Sequence, residues 1–527
     1  MEYRRFYRNR SIPPLIILAT LFALPLALTV QAGLWEGGRI TFSRVLGLFT
    51  NTYFRSILLF TVKQALLSTL AALIVGLPGA YILATYSFRL KRVIKALATI
   101  PFVLPSILVV LGFVIFFGNS GTLNTLLMKL FELDEPPLKI LYSFGAIILA
   151  HTFYNFPIIM SIVSNAWEGL DRRIEAAAAT LGSSKAKIFR TITLPRLLPS
   201  ILSAAILVFL FCFNSFAIIL VLGGGPKFTT LEVEIYRQAR MMAAVDQASA
   251  LALASMAING FLLFLYALSQ RSFTVVEESS DQVFEEELPK PITRFFIALY
   301  TLGSIIFLLG PIIAVIVRSF MKAASRSSAA TFSFTWYRQL LGLESSSSHM
   351  SSALAALVNS SLIGLCVSVL TVTLALLLSV SIVRRKKPST TLEVIGMLPM
   401  ITSSVIVGLG YVLIARLLRP SLLGTYLLII LAHTVIAFPF ALRTILPKVR
   451  SLSSTYLYAA YTLGSSPRKG FRTIEVPLLR KNLLTAAVFA FALSLGEFNA
   501  TLILSNSQVV TLPIVMYRLI GSYNFQG

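Results

Sequence analysis

Residues equipped for chemistry are scarce in this chain, and their placement argues against catalysis. Its 527 residues hold three histidines, two cysteines and 21 acidic side chains. The histidines lack cysteine or acidic neighbours at ligand spacing, so no metal site and no bound cofactor are expected. Cys212 and Cys366 both fall inside apolar runs, which excludes a disulfide framework. No G-x-x-x-x-G-K-[ST] phosphate loop occurs; Gly223-Gly224-Gly225, with Pro226 and Lys227 after it, is the nearest glycine cluster and reads as a turn. One carboxylate stands out. Glu497 sits within an apolar run, where an ionisable group is a functional candidate by default. Asn499 lies beside it, and Asn214 and Ser215 occupy a comparable place earlier in the chain.

The apolar runs that must position these groups dominate the composition. Hydrophobic residues make up 56% of the chain and charged residues 13%, with a mean hydropathy of +0.83. Soluble domains carry about 25% charged residues. The pattern predicts an all-α polytopic membrane protein with eleven spans at 14–33, 56–85, 96–117, 140–164, 199–221, 247–269, 295–317, 352–383, 392–415, 422–442 and 483–505. The first resembles a signal peptide, but a similar span opens the second half, so a retained helix is expected. The net charge of +24 comes without a basic aromatic domain, which argues for lysine and arginine collected in cytoplasmic loops rather than for nucleic acid. With the N-terminus cytoplasmic, lysine and arginine fall on the cytoplasmic side nearly two to one. The polar segments are too short to bury a core of their own. Residues 270–294 form an acidic linker, and the serine-rich patches at 324–328 and 345–352 read as outer loop.

The chain also repeats itself. Leu149-Ala150-His151-Thr152 with Phe156-Pro157 recurs 282 residues later as Leu431-Ala432-His433-Thr434 with Phe438-Pro439. Thr180-Leu181-Gly182-Ser183-Ser184 recurs at the same offset as Thr462-Leu463-Gly464-Ser465-Ser466. Six spans separate equivalent points, so the halves are parallel and inverted repeats are excluded. The expected organisation is a first repeat at 1–269, the linker at 270–294, and a second repeat at 295–527 lacking its last helix. His151 and His433 are expected to hold helix starts, and Pro157 and Pro439 to kink their helices.

The repeat is tightest in two long loops. The first runs from Glu175 through Ala177, Ala178 and Gly182 to Pro195; the second through Ala459, Ala460 and Gly464 to Pro477. Alanine favours a thin helix, glycine ends it in a left-handed turn, and proline stops or redirects the next segment. Each loop should be a short helix, a sharp turn and a return helix with a small-residue face.

This pattern resembles the EAA loop of ATP-binding-cassette importer permeases, in both halves and over essentially the whole chain. The resemblance implies the type I importer fold, no enzymatic activity in this chain, and a bacterial inner-membrane location. It also implies two copies of a cytoplasmic ATPase docked on the loops and an extracytoplasmic solute-binding protein. The family's glutamate falls at Ala176, one position after Glu175, and at Tyr458, so docking by shape is expected. The segment from Leu222 to Tyr236 is similar to the thiamine and ferric-iron branch, whereas Ser494-Leu495-Gly496-Glu497-Phe498 resembles sulfate and molybdate permeases. Asn214, Ser215, Glu497 and Asn499 are the expected pathway residues. A carboxylate at 497 facing water would suit a cation better than an oxyanion. An ion-coupled transporter is the alternative, but it would need intramembrane ionisable groups in both halves.

Overall fold

The computed structural model describes residues 12–99, 101, 104–274, 288–322, 331–343, 353–384, 390–453, 455–506, 509–522 and 524–525. Most of the acidic linker and both serine-rich patches lie outside them. Only a helix or a closed barrel satisfies every backbone polar group in lipid, and this chain is built from helices. Among the described residues ten are long and apolar enough to span, and a further pair of helices, Thr391–Met400 and Ser404–Leu418, is bent by 91°. The protein is therefore an all-α polytopic membrane protein, with ten such spans among the described residues against the eleven expected, the run at 392–415 being the one replaced by the bent pair.

Each half has the same frame. In the first, Phe144–Glu168 packs along Thr52–Thr85; in the second, Tyr426–Ser451 packs along Ala353–Val383. The halves are interlocked through their leading helices. Leu24–Leu34 of the first half lies on Ser404–Leu418 of the second, and Pro291–Ser319 of the second lies on Ser106–Phe117 of the first. Glycine allows both approaches: a Cβ on Gly410 would come within 2.7 Å of Pro25, and one on Gly112 within 3.1 Å of Pro311. Tyrosine hydroxyls reinforce the exchange. Tyr411 donates to the Leu21 carbonyl at 2.7 Å, and Tyr300 to the Val75 carbonyl at 2.9 Å.

Four expected spans are broken rather than straight. The run at 199–221 stops at Phe213 and resumes as Ala217–Leu222; that at 483–505 stops at Gly496 and resumes as Asn499–Leu504. The runs at 96–117 and 392–415 break before Ser106 and Ser404, each just after a proline-containing stretch. Hydropathy registers apolar length and is blind to an unwound turn. Pro157 and Pro439, by contrast, sit inside uninterrupted helices. The stretch after Gly223, expected as an outer loop, is folded into the interior: Leu231–Tyr236 is a short helix whose Leu231, Glu232, Glu234 and Ile235 are buried. His151 and His433 lie two turns inside their helices and bond across to neighbouring ones, so they do not hold helix starts.

Candidate coupling loops and translocation cavity

The two loops fold alike, residue for residue. Arg173–Thr180 and Thr455–Thr462 are two-turn helices, each ending toward a glycine, Gly182 or Gly464, at φ +81°. Behind each glycine the chain closes a Schellman cap: Ser183 N–H donates to the Ala178 carbonyl at 3.1 Å, and Ser465 N–H to Ala460 at 2.9 Å. Ser184 and Ser466 then cap the next helices, accepting from Lys187 and Lys469 N–H. Pro195 and Pro477 do not stop the return helix. They stand in the first turn of Leu194–Phe213 and Val476–Gly496, each preceded by a π-helical turn. That wider turn accommodates a ring that would clash in an unbroken α-helix.

The loop tips are exposed. Ala177 and Ala459 face solvent, Ala178 and Ala460 partly so, and the leucine before each glycine is almost bare, Leu181 at 86% and Leu463 at 87% exposure. Ile174 and Tyr456 extend the apolar strip one face back. The loops differ in their moorings. Glu175 accepts a 2.5 Å hydrogen bond from Thr193 in the return helix. In the second loop the corresponding residues are Leu457 and Glu475. Glu475 instead takes Arg384 Nε at 2.8 Å, a pair only 2% and 5% exposed at its side chains.

Two of the cavities between the halves meet at the broken helices. The larger, 870 Å³, runs from Asn214 and Ser404 past Pro439 and Arg443 toward the loop side, where Arg450 pairs with Glu393. The smaller, 310 Å³, lies around the broken helices and is bordered by His151, Tyr154, Asn155, Ser215, Phe489 and Asn499. Phe211, Asn214 and Phe440 border both. On the side away from the loops, four aromatic rings are packed in series, Tyr236 on Phe216, Phe216 on Phe498, and Phe498 on Tyr517.

The expected pathway residues divide. Asn214 lines both cavities and exchanges hydrogen bonds with Asn259 at 3.2 and 2.8 Å. Ser215 and Asn499 line the smaller one, and Asn499 Nδ2 donates to Ser404 Oγ at 3.1 Å. Glu497 borders neither of these cavities: its Oε1 accepts from Ala500 N–H at 3.0 Å and so begins the helix Asn499–Leu504.

Three buried groups, Glu232, His151 and Tyr154, were not among the expected site residues. Ser403 accepts from Ile406 N–H, capping its helix, and donates to Glu232 of the other half at 2.6 Å. Ser255 donates to the second Glu232 oxygen at 3.1 Å. Burial pushes the Glu232 carboxyl up to about 7, with the two hydroxyls partly holding it down. His151 and Tyr154 are different in kind: His151 Nε2 and the Tyr154 hydroxyl are buried without a hydrogen-bond partner among the described residues. Leaving such a group unpaired costs about 1–3 kcal/mol, a reason to look for function.

Twin glycine-capped loops on a repeated helical frame, with cavities between the halves, are features of a membrane permease. The family described as "Binding-protein-dependent transport system inner membrane component" matches residues 76–275 and 371–526, and the chain belongs to it. It is thus a multi-pass inner-membrane permease of an ATP-binding-cassette importer, a class that works with an ATPase and a solute-binding protein. Among its relatives is the thiamine transport system permease protein of Haemophilus influenzae, 27% identical over 487 residues, 91% of this chain and 85% of that one. The protein of the same description from Escherichia coli is 27% identical over 518 residues, 97% of this chain and 91% of that one. A putative 2-aminoethylphosphonate transport system permease protein of Salmonella typhimurium is 30% identical over 260 residues, 49% of this chain and 90% of its own length. These relatives are transport permeases rather than enzymes.

Proposed function

We propose that this permease imports thiamine, with one ATPase copy seated on each loop and the N-terminus in the cytoplasm. The observation that carries the coupling role is the matched pair of loop tips, Leu181-Gly182 and Leu463-Gly464, with equal φ and near-equal exposure. Ala177, Ala178, Ala459 and Ala460 keep the docking helix thin enough for close approach. Glu175 acts within the chain, bracing the first loop through Thr193, while Pro195 and Pro477 set the start of the helices that receive the motion. Closure of the ATPase pair draws the two loops together and opens the far side to the solute receptor. Hydrolysis returns the pathway to the loop side. The chain divides accordingly into halves at 1–269 and 295–527 joined by the linker at 270–294.

The cargo assignment rests on the full-length relatives named for thiamine and on the cavity walls. A ferric ion would call for carboxylate or other hard oxygen ligands. The one carboxylate bordering either cavity, Glu393, is paired with Arg450. Aromatic faces such as Tyr154, Phe440 and Phe489 instead suit a flat organic cation. Asn214, Ser215 and Asn499 form the polar wall along its route, and Glu497 holds the broken helix that carries Asn499.

The test is ATP hydrolysis and thiamine uptake by permease, ATPase and receptor reconstituted together. Leu181→Asp combined with Leu463→Asp should abolish ATPase association while the permease remains folded, because neither side chain packs inside the protein. Retained association would overturn the docking role. Absence of thiamine uptake by the wild-type assembly would overturn the cargo.

A further inference from the structure

The two halves share a frame but treat their buried histidines differently. His433 is satisfied at both ring nitrogens, Nδ1 by Ser494 at 2.9 Å and Nε2 by Thr501 at 2.8 Å. His151 occupies the equivalent place in the first half and meets only Ser68, at 2.9 Å through Nδ1. The positions of Ser494 and Thr501 are taken there by Cys212 and Ile219. Its Nε2 is left without a protein partner among the described residues, although the residue is 1% exposed. One helical turn on, Tyr154 carries a second orphaned group, its hydroxyl, where the other half has Ile436. Asn155 comes next, where the other half has Ala437. The first half thus keeps buried polarity that the same fold manages without in the second.

All three side chains border the 310 Å³ cavity, at the small end of the roughly 300–1,000 Å³ range of small-molecule sites. The rest of its wall is largely aromatic and aliphatic, with Phe440, Phe489 and Leu493 coming from the second half. A cavity with few convergent polar groups on an apolar wall is the usual form of an organic-ligand site.

We infer that this cavity is an intramembrane cargo site in which His151 Nε2 and the Tyr154 hydroxyl, covered in this state, are uncovered as the halves move and hydrogen-bond the edge of a nitrogen heterocycle of the aminopyrimidine class. The inference rests on the thiamine reading and adds to it where the ring is held and by which atoms. An aminopyrimidine edge offers an N–H donor beside a ring-nitrogen acceptor. It therefore complements a hydroxyl, which both donates and accepts, and an imidazole nitrogen in either tautomer. The aromatic wall is left for the cationic ring of the same molecule. A site of this kind rejects an analogue that lacks the matching group, because its own polar atoms are then stranded.

The experiment uses the whole assembly, permease with ATPase and receptor in proteoliposomes, and measures solute imported per ATP hydrolysed. The probes are thiamine and its analogue carrying a ring carbonyl in place of the exocyclic amine. Tyr154→Phe, which removes a single oxygen, should lower thiamine imported per ATP about tenfold and reduce discrimination between the two probes. His151→Asn should do the same; if it fails to assemble because the Ser68 contact is lost, Tyr154→Phe decides alone. Unchanged import per ATP and unchanged discrimination in Tyr154→Phe would overturn the site while leaving thiamine as cargo. No thiamine import by the wild type would overturn the cargo reading and the ring assignment together.

Discussion

Phe216 and Phe498, 282 positions apart and equivalent in the two halves, meet across the molecular axis with ring centroids 5.9 Å apart. Each begins the second piece of a broken helix, and each is backed by a tyrosine, Tyr236 at 5.5 Å and Tyr517 at 5.3 Å. A contact between symmetry mates must part whenever the halves rock open on that side. Replacing both phenylalanines by alanine should therefore leave the far side unsealed. The expected outcome is solute leak through reconstituted vesicles and ATP hydrolysis that no longer waits for the receptor. A tight bilayer and receptor-dependent hydrolysis in the double variant would show that closure lies elsewhere.

The moorings of the two loops respond differently to mutation. Arg384→Ala removes the charge partner of the buried Glu475 carboxylate, a change worth roughly 3–5 kcal/mol when a buried pair loses one partner. Thr193→Val removes one hydrogen bond from a buried hydroxyl to the half-buried Glu175, worth about 1.5 kcal/mol at the low end for a charged acceptor. Thermal unfolding of the purified permease should drop more in the first than in the second. Replacing both Arg384 and Glu475 by apolar residues of similar size should recover much of the loss.

Glu232 links the halves through Ser403, and its carboxyl is raised to about 7. A carboxyl whose folded value lies above its unfolded one favours the fold when neutral. Its contribution is complete below the ordinary carboxyl range and is lost as pH rises through about 7. Thermal stability of the wild type should decline over that window, and Glu232→Gln, neutral throughout, should flatten the profile. A wild-type profile already flat from about pH 5 to 8 would contradict this.

The interlocked leading helices depend on two glycines that are not equally crowded. A methyl group on Gly410 would press on Pro25 side chain and backbone at 2.7 to 3.0 Å, whereas one on Gly112 would sit 3.1 to 3.3 Å from Pro311. Gly410→Ala should cost more stability than Gly112→Ala, by about 1–3 kcal/mol for an overpacked contact. Denaturation of the two variants side by side gives the comparison.

Much of this architecture is legible in the residues. Apolar length marks out the spans, because lipid admits so few backbone solutions. The duplicated alanine–glycine loops announce their own geometry, because φ near +81° asks for glycine at 182 and 464. Features set by three-dimensional partners are the ones that escape. The breaks at Asn214 and Glu497 are invisible to hydropathy, since both flanks remain apolar. Glu232 lies between the expected spans at 199–221 and 247–269, where nothing local marks it as buried; two serines from distant helices make its burial tolerable. His151 and His433 are identical in sequence context from Leu149 to Thr152 and from Leu431 to Thr434. Their difference lies in Cys212 against Ser494 and Ile219 against Thr501, some 60 residues away.

The exchange of leading helices constrains how the machine can work. Pulling the halves directly apart in the membrane plane would have to peel Pro25 from Gly410 and Pro311 from Gly112 together, exposing two tight seams to lipid. The molecule is in effect a pair of clasped hands, and the cheap motion for clasped hands is to pivot. A pivot about those two seams converts a small squeeze at the loop tips into parting at the Phe216–Phe498 end, with the grip itself never released.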